Sequence, residues 1–332
     1  MRGGRYGFFP ALALLAACGA PSRETADSGA ASVRSVYTDA VRIIVEPSDD
    51  DSALVSAISS ARASVHMTMY LLDNVAVMRA LEAQRSAGLD VRVVLNESFP
   101  GGTGSNANAY DELASFGIAV EWAPPSFALT HEKCVILDGR EAWIMTMNLD
   151  ESSALDNREY LAVDADPTDV GEAETIFEAD FAHVPAKVSG RLVVSPVNAR
   201  PKLVALLAAA RRSIELEGEE LSDGEVVSAL RAAAGEGVAV RVVLSNDAPS
   251  AAQVQAVSLL TAAGVAVVRV SRPYIHAKAI VVDGSVAYVG SENFSAASLD
   301  DNRELGLLFD AKGEVQKVDA TILADFAIGT PE

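Results

Sequence analysis

Two patterns of apolar residues alternate along the chain: short runs apolar at nearly every position, and longer Ala/Leu-rich stretches that close on glycine. The short runs read as strands covered on both faces and the longer stretches as helices. Val91-Arg92-Val93-Val94-Leu95 returns as Val240-Arg241-Val242-Val243-Leu244. Upstream of each copy stands another strand-like stretch, Ser64 to Tyr70 and Ser213 to Glu217, with a helical run between. The pattern predicts a βαβ unit, twice. After each unit come an Ala/Ser-rich helix, a short strand, and an apolar strand that reaches Asp138-Gly139 in one copy and Asp283-Gly284 in the other. Asp-Gly signals a two-residue hairpin, so each strand is expected to turn there and return antiparallel.

The chemistry sits at the start of these hairpins. The first copy reads His131-Glu132-Lys133, then Asp138, Thr146, Asn148 and Glu159; the second reads His276-Ala277-Lys278, then Asp283, Ser291, Asn293 and Glu304. From each His, the Lys lies two residues on, the Asp seven, the Asn seventeen and the Glu twenty-eight, in both copies. Alternation puts His131 with Lys133, and His276 with Lys278, on one strand face. A His and a Lys in so apolar a strand are costly unless they line a cleft. Whether the turn centres on Asp-Gly or one residue later, the returning strand is expected to set Thr146 or Asn148 opposite His131, and Ser291 or Asn293 opposite His276. Imidazole, ammonium, hydroxyl and carboxamide then converge, a set suited to phosphoryl oxygens. Asp138 and Asp283 lie roughly 23 Å further along the strand and read as turn and scaffold residues.

These residues resemble the H-x-K-x4-D and G-S-x-N pattern of the phospholipase D superfamily, over nearly the whole chain beyond the N-terminal segment. The resemblance implies a duplicated α/β fold, two halves each with a mixed sheet flanked by helices, related by a pseudo-twofold axis with the active site between them. It implies His131 as nucleophile forming a phosphohistidine and His276 as the acid that protonates the leaving alcohol and then activates water. Lys133, Lys278, Asn148 and Asn293 would hold the phosphate charge, with no metal or other cofactor required, and Glu159 and Glu304 would orient the histidines. The first copy departs from the pattern by carrying Met145-Thr146 where the second has Gly290-Ser291. Glycine there would permit a close backbone approach that methionine removes.

The N-terminus changes the setting. Met1-Arg2-Gly3-Gly4-Arg5, an apolar run from Phe8 to Ala17, then Cys18 match a secretory signal, and Leu15-Ala16-Ala17-Cys18 resembles a bacterial lipobox. The expected organisation is a signal peptide at 1–17, a lipid-anchored linker at 18–38 beginning at a lipidated Cys18, a first half at 39–188 and a second at 189–332, with the protein secreted and tethered to the bacterial cell envelope. The other cysteine, Cys134, then has no disulfide partner and reads as a buried thiol.

Charge bears on the substrate. The chain has 26 basic and 46 acidic residues, a net charge of -20. A spread acidic excess repels a nucleic-acid backbone, so none is expected as partner. Phospholipid at a membrane surface is the expected substrate, and a monomer the expected state, since both motifs share one chain. Hydrolysis to phosphatidic acid and free headgroup, by a phosphoric diester hydrolase, is the first reading. Phosphatidyl transfer of the cardiolipin synthase type and nucleic-acid phosphodiester cleavage are the alternatives. His66 and His183 have no counterparts in the repeat and receive no role; Arg158 and Arg303, which do recur, read as structural ion-pair partners.

Overall fold

The computed structural model describes residues 37–47, 52–247 and 249–332. The expected signal segment, Cys18 and most of the expected linker lie outside them.

The first half runs β1 (Val41–Glu46), α1 (Ser52–Ser60), β2 (Ser64–Met69), α2 (Val75–Ser86), β3 (Asp90–Leu95), α3 (Ala107–Ser115), β4 (Ala119–Trp122), β5 (Lys133–Leu137), β6 (Glu141–Met145), α4 (Ser153–Asp156), β7 (Asn157–Asp164) and α5 (Pro167–Phe181). The second repeats it as β8 (Val193–Ser195), α6 (Ala199–Ala208), β9 (Ser213–Gly218), α7 (Gly224–Gly235), β10 (Ala239–Ser245), α8 (Ala251–Ala262), β11 (Ala266–Val270), β12 (Tyr274–Ile275), β13 (Lys278–Val282), β14 (Val286–Gly290), α9 (Ala296–Asp300), β15 (Glu304–Phe309), α10 (Lys312–Ile328) and β16 (Thr330–Pro331). Both expected βαβ units are present, with β2 parallel to β3 and β9 parallel to β10. The sheets are mixed, in the orders β1-β7-β6-β5-β2-β3-β4 and β16-β11-β10-β9-β13-β14-β15-β8.

Burial explains the apolar runs. Outer helices α1 and α2 contribute Leu54, Ile58, Val77 and Leu81 to a core on one face of the first sheet, and α6 and α7 contribute Leu203, Leu207, Val226 and Leu230 to the matching core of the second. A third core joins the halves: Ile136, Ile144, Ala162 and Phe177 pack in the same cluster as Ala279, Val281, Leu307 and Ile322. Every central strand is thus covered twice, and a polar side chain survives there only at a strand end or with buried partners. Cys134, a free buried thiol, is one of the small apolar fillers of this shared core.

The hairpins depart from the expected register. Leu137 pairs with Glu141 and Cys134 with Ile144, and in the second half Val282 pairs with Val286. Each loop therefore has three residues, Asp138-Gly139-Arg140 and Asp283-Gly284-Ser285. Asp138 and Gly139 both take positive φ, 55° and 59°, as do Asp283 and Gly284 at 54° and 60°. One extra loop residue reverses the parity of the returning strand. Met145 and Gly290, not Thr146 and Ser291, consequently share the parity of Lys133 and Lys278, and β6 and β14 end there. The loop aspartates hold neighbouring backbone: Asp138 accepts from the N–H groups of Arg62, Ala63 and Ser64, and Asp283 from those of Arg211, Arg212 and Ser213. These bonds fix where β2 and β9 begin.

Candidate active site

The two halves exchange short segments beside each motif. β12, which leads into His276, pairs in parallel with the start of β7, Tyr274 against Asn157 and Ile275 against Arg158. Thr130, which leads into His131, bridges in parallel to Arg303, whose carbonyl accepts from the N–H of His131 at 2.9 Å and of Glu132 at 3.0 Å. Each histidine thus enters the site beside the opposite half's Glu-bearing strand.

The carboxylates follow the same exchange. His131 Nδ1 lies 2.9 Å from Glu304 Oε2, and His276 Nδ1 lies 2.7 Å from Glu159 Oε1. Glu159 and Glu304 are fully buried, and their remaining oxygens are held in place. Thr146 Oγ1 donates to Glu159 Oε2 at 2.5 Å, while Ser298 Oγ and Asn302 Nδ2 donate to Glu304 Oε1 at 2.7 and 3.2 Å. Ser291 also bonds Glu304 and takes the Leu305 N–H at 3.1 Å. Thr146 and Ser291 therefore do not face the histidine of their own hairpin. Because the three-residue loop reverses parity, each sits behind a carboxylate that holds the other half's imidazole.

The lysines stay with their own histidines. Lys133 Nζ donates to His131 O and Lys278 Nζ to His276 O, both at 2.6 Å, and neither lysine is exposed. The charges of Lys133 and Lys278 both bear on His131, so the two motifs lie near one another. Burial pushes His131 below its ordinary value, against the pull of Glu304, and the two lysines add to the depression. Burial would raise Glu304, but His131 and Lys133 hold it below the usual carboxylate range. A neutral imidazole donating Nδ1–H to an ionised carboxylate keeps the Nε2 lone pair free. Burial also brings Lys133 down to about 7. The carboxamide oxygens of Asn148 and Asn293 are buried and lack a hydrogen-bond partner among the described residues.

The Met145-Thr146 departure has a packing explanation. A Cβ on Gly290 would stand 2.5 Å from both Glu292 Oε2 and Tyr288 OH, and 2.6 Å from Gly306 Cα. Glu292 and Tyr288 are buried and bonded to each other at 2.5 Å. Their counterparts in the first half are Met147 and Trp143, while Met145 and Leu161 replace the two glycines, all within one apolar core. Glycine at 290 serves a buried polar pair in the sheet. Methionine at 145, with no such pair beside it, packs into the apolar core instead.

Two site residues were missed by the sequence reading. Tyr70 and Glu219 each follow the last residue of a repeat strand, β2 or β9, at the same position in the two copies. Tyr70 meets His131 edge-on at 4.5 Å and lies 5.0 Å from Lys133 Nζ. Glu219 Oε2 lies 2.8 Å from Lys278 Nζ and 3.5 Å from His276 Nε2, and accepts from Asn293 Nδ2 at 3.3 Å. Their shared signal was place, the C-terminal end of parallel strands, where ligands collect in α/β sheets. Tyr70 also lines a cavity of about 580 Å³ with Leu71, Val75, Met78 and Phe99. Glu219, Tyr274 and Asn293 line another of about 350 Å³ with Glu220 and Asp247.

The recurring arginines are structural. Arg303 pairs with Asp180 at 2.7 Å and Arg158 with Asp325 at 2.6 Å, each bridging the halves, and Phe127 packs under Arg303. His66 is buried between Glu174 and Phe177, and His183 bonds Trp122 O. Among the described residues, the one cluster with metal-ligand character is His66, Glu174 and Glu178. Arg92 already occupies it, 2.8 Å from His66 Nε2 and 2.7 Å from Glu178.

Residues 54–181 and 203–325 match the family described as "Cardiolipin synthase, PLD-like domain", once in each half. The chain belongs to this PLD-like family. Membership places it in the phospholipase D superfamily, as the duplicated motif suggested. Among curated relatives, the PLD-like chain is 23% identical to the cardiolipin synthase of Listeria monocytogenes serotype 4a (strain HCC23), covering 86% of this chain and 68% of that one. It is 38% identical to a mitochondrial cardiolipin hydrolase of Xenopus tropicalis over 110 residues, 33% of this chain and 52% of the relative. The phosphatidylserine synthase structure from Haemophilus influenzae Rd KW20 superposes with TM-score 0.66 at 9% identity over 89% of this chain and 88% of that one, showing a shared fold.

Proposed function

We propose that this PLD-like protein transfers a phosphatidyl group through a phosphohistidine, with an alcohol as the principal acceptor and water as the lesser one. The observation that carries the reading is the crossed His–Glu pairing, which engages both Nδ1 atoms, so that the Nε2 atoms would be the ones to act on phosphorus. His131 Nε2 would attack phosphorus while the bond to the leaving alcohol breaks, His276 giving that alcohol a proton. The acceptor would then lose its proton to His276 as its oxygen displaces His131. Lys133, Lys278 and the Asn148 and Asn293 carboxamides would hold the phosphoryl oxygens, and no step calls for a metal.

The preference for transfer over hydrolysis rests on the relatives, since the matched family is described by cardiolipin synthase. That reverses the order expected from sequence, in which hydrolysis is the first reading and transfer an alternative. Among the described residues, no helix is long and apolar enough to cross a membrane. The cardiolipin hydrolase relative keeps hydrolysis as the second reading.

Incubation with phosphatidylglycerol vesicles and a chelator should yield cardiolipin and glycerol. Phosphatidic acid without cardiolipin would make hydrolysis the activity, and cleavage of DNA with lipid untouched would reject both. The pH profile of kcat/KM should be bell-shaped. Protonation of His131 removes the nucleophile at low pH, with a midpoint below about 6.5. Above about 7, Lys133 loses its charge and phosphate binding weakens, so Lys133→Arg should bind substrate more tightly than the parent on the alkaline side, read as a lower KM there. A flat profile from about pH 5 to 8 would count against both assignments.

A further inference from the structure

Glu219 is the strongest asymmetry in a site otherwise built twice. Its repeat counterpart, Tyr70, presents a ring to Lys133 and His131, leaving Lys133 Nζ with no carboxylate within bonding distance among the described residues. Lys278 Nζ instead carries the Glu219 carboxylate at 2.8 Å. The same Oε2 atom receives Asn293 Nδ2 at 3.3 Å and approaches His276 Nε2 to 3.5 Å. Ammonium and carboxamide are the donors that the proposed chemistry assigns to the phosphoryl oxygens and the imidazole is the one it assigns to the leaving alcohol, and here one carboxylate oxygen collects all three. The other oxygen, Oε1, accepts from Tyr274 OH at 3.1 Å, on the side of the cavity that Glu220 and Asp247 line.

We propose that Glu219 is a resident anion of the second half's phosphoryl cradle, and that a phosphodiester binds by displacing its carboxylate from Lys278 and Asn293. The inference rests on the proposed phosphodiester function and deepens it: Glu219 sets how tightly the site holds an anion. A bound phosphoryl group and an ionised Glu219 cannot share Lys278 Nζ without like-charge repulsion across a few ångströms in a partly buried site. A ligand that adds contacts elsewhere, such as a lipid with two ester arms, offsets the displacement more fully than a small free anion, which binds the parent more weakly than it would without the carboxylate. Burial would raise the Glu219 carboxyl, but Lys278 and His276 hold it well below the usual range, so it stays ionised between pH 5 and 8 and the competition persists there. Tyr274 remains as a partner for the displaced carboxylate. The first half, with Tyr70 in place of a carboxylate, has no such competitor.

The test is inorganic phosphate binding to the full chain, by calorimetry at fixed ionic strength near pH 7. Glu219→Gln keeps the shape and removes the charge, and Glu219→Ala removes both. Both should bind phosphate at least about tenfold more tightly than the parent, the gain that losing roughly 1.4 kcal/mol of competition gives. Unchanged or weaker binding in both variants, with melting temperatures matching the parent, would overturn the proposal. Tighter binding in Glu219→Ala alone would also overturn it, by showing that bulk and not charge excludes the ion. Lys278→Met separates this failure from failure of the functional reading. If phosphate binds the parent and Lys278→Met abolishes it while Glu219→Gln changes nothing, the phosphoryl site stands and only the competitor is lost. If Lys278→Met has no effect either, the phosphoryl site itself is wrong.

Discussion

Replacing either His131 or His276 by Asn should lower turnover by about 10,000-fold or more, and replacing both should cost little beyond either alone. One histidine is asked to bond to phosphorus and the other to move the proton, so each is useless without its partner. Asn is the appropriate replacement because its amide can still donate to Glu304 or Glu159, leaving those buried carboxylates paired. The non-additivity is the informative part. Residues acting as a unit on one reacting atom show it, whereas two independent sites would leave about half the activity in each single variant and none in the double. Steady-state rates on phosphatidylglycerol, with melting curves as a folding control, decide between these outcomes.

The second large effect falls on stability. Arg303→Met should destabilise the protein by about 3–5 kcal/mol, because it leaves Asp180 buried without its charge partner. Asp180 is 1% exposed, and burial already raises its carboxyl against the pull of Arg303. The pair joins α5 of the first half to the strand that delivers Glu304, and the Arg303 carbonyl holds the N–H groups of His131 and Glu132. Adding Asp180→Leu to Arg303→Met should recover most of the loss, since an apolar pair of similar volume is often neutral where a lone charge is not. Urea unfolding measures both. A loss under about 1 kcal/mol in the single variant would mean that the ion pair contributes no more than an exposed one.

The repeat, the two hairpins and the His-Lys pairs were legible because local periodicity and identical spacing specify them. The partition of the site was not. Nothing in the order of residues says that Glu304 will hold His131 and Glu159 will hold His276; that exchange arises when two similar halves meet and each lends a strand edge to the other. Asp-Gly signals a turn but leaves open whether two or three residues form it, and that one residue decides the face on which Thr146 and Ser291 emerge. The Gly290 and Met145 difference looked like a defect at the site because its reason lies a layer away, in the Glu292–Tyr288 pair. Glu219 was passed over because a lone glutamate at a strand end carries no motif. Only its distance to Lys278 gives it meaning.

Orthovanadate, which takes the geometry of a phosphoryl group under attack, offers the most direct check that both imidazoles serve one phosphorus. Titrated into protein with 15N-labelled histidines, it should bind once per chain and shift the Nε2 resonances of His131 and His276 together, with one dissociation constant for both. Two ions per chain, or a shift confined to one imidazole, would mean that the halves do not share a centre.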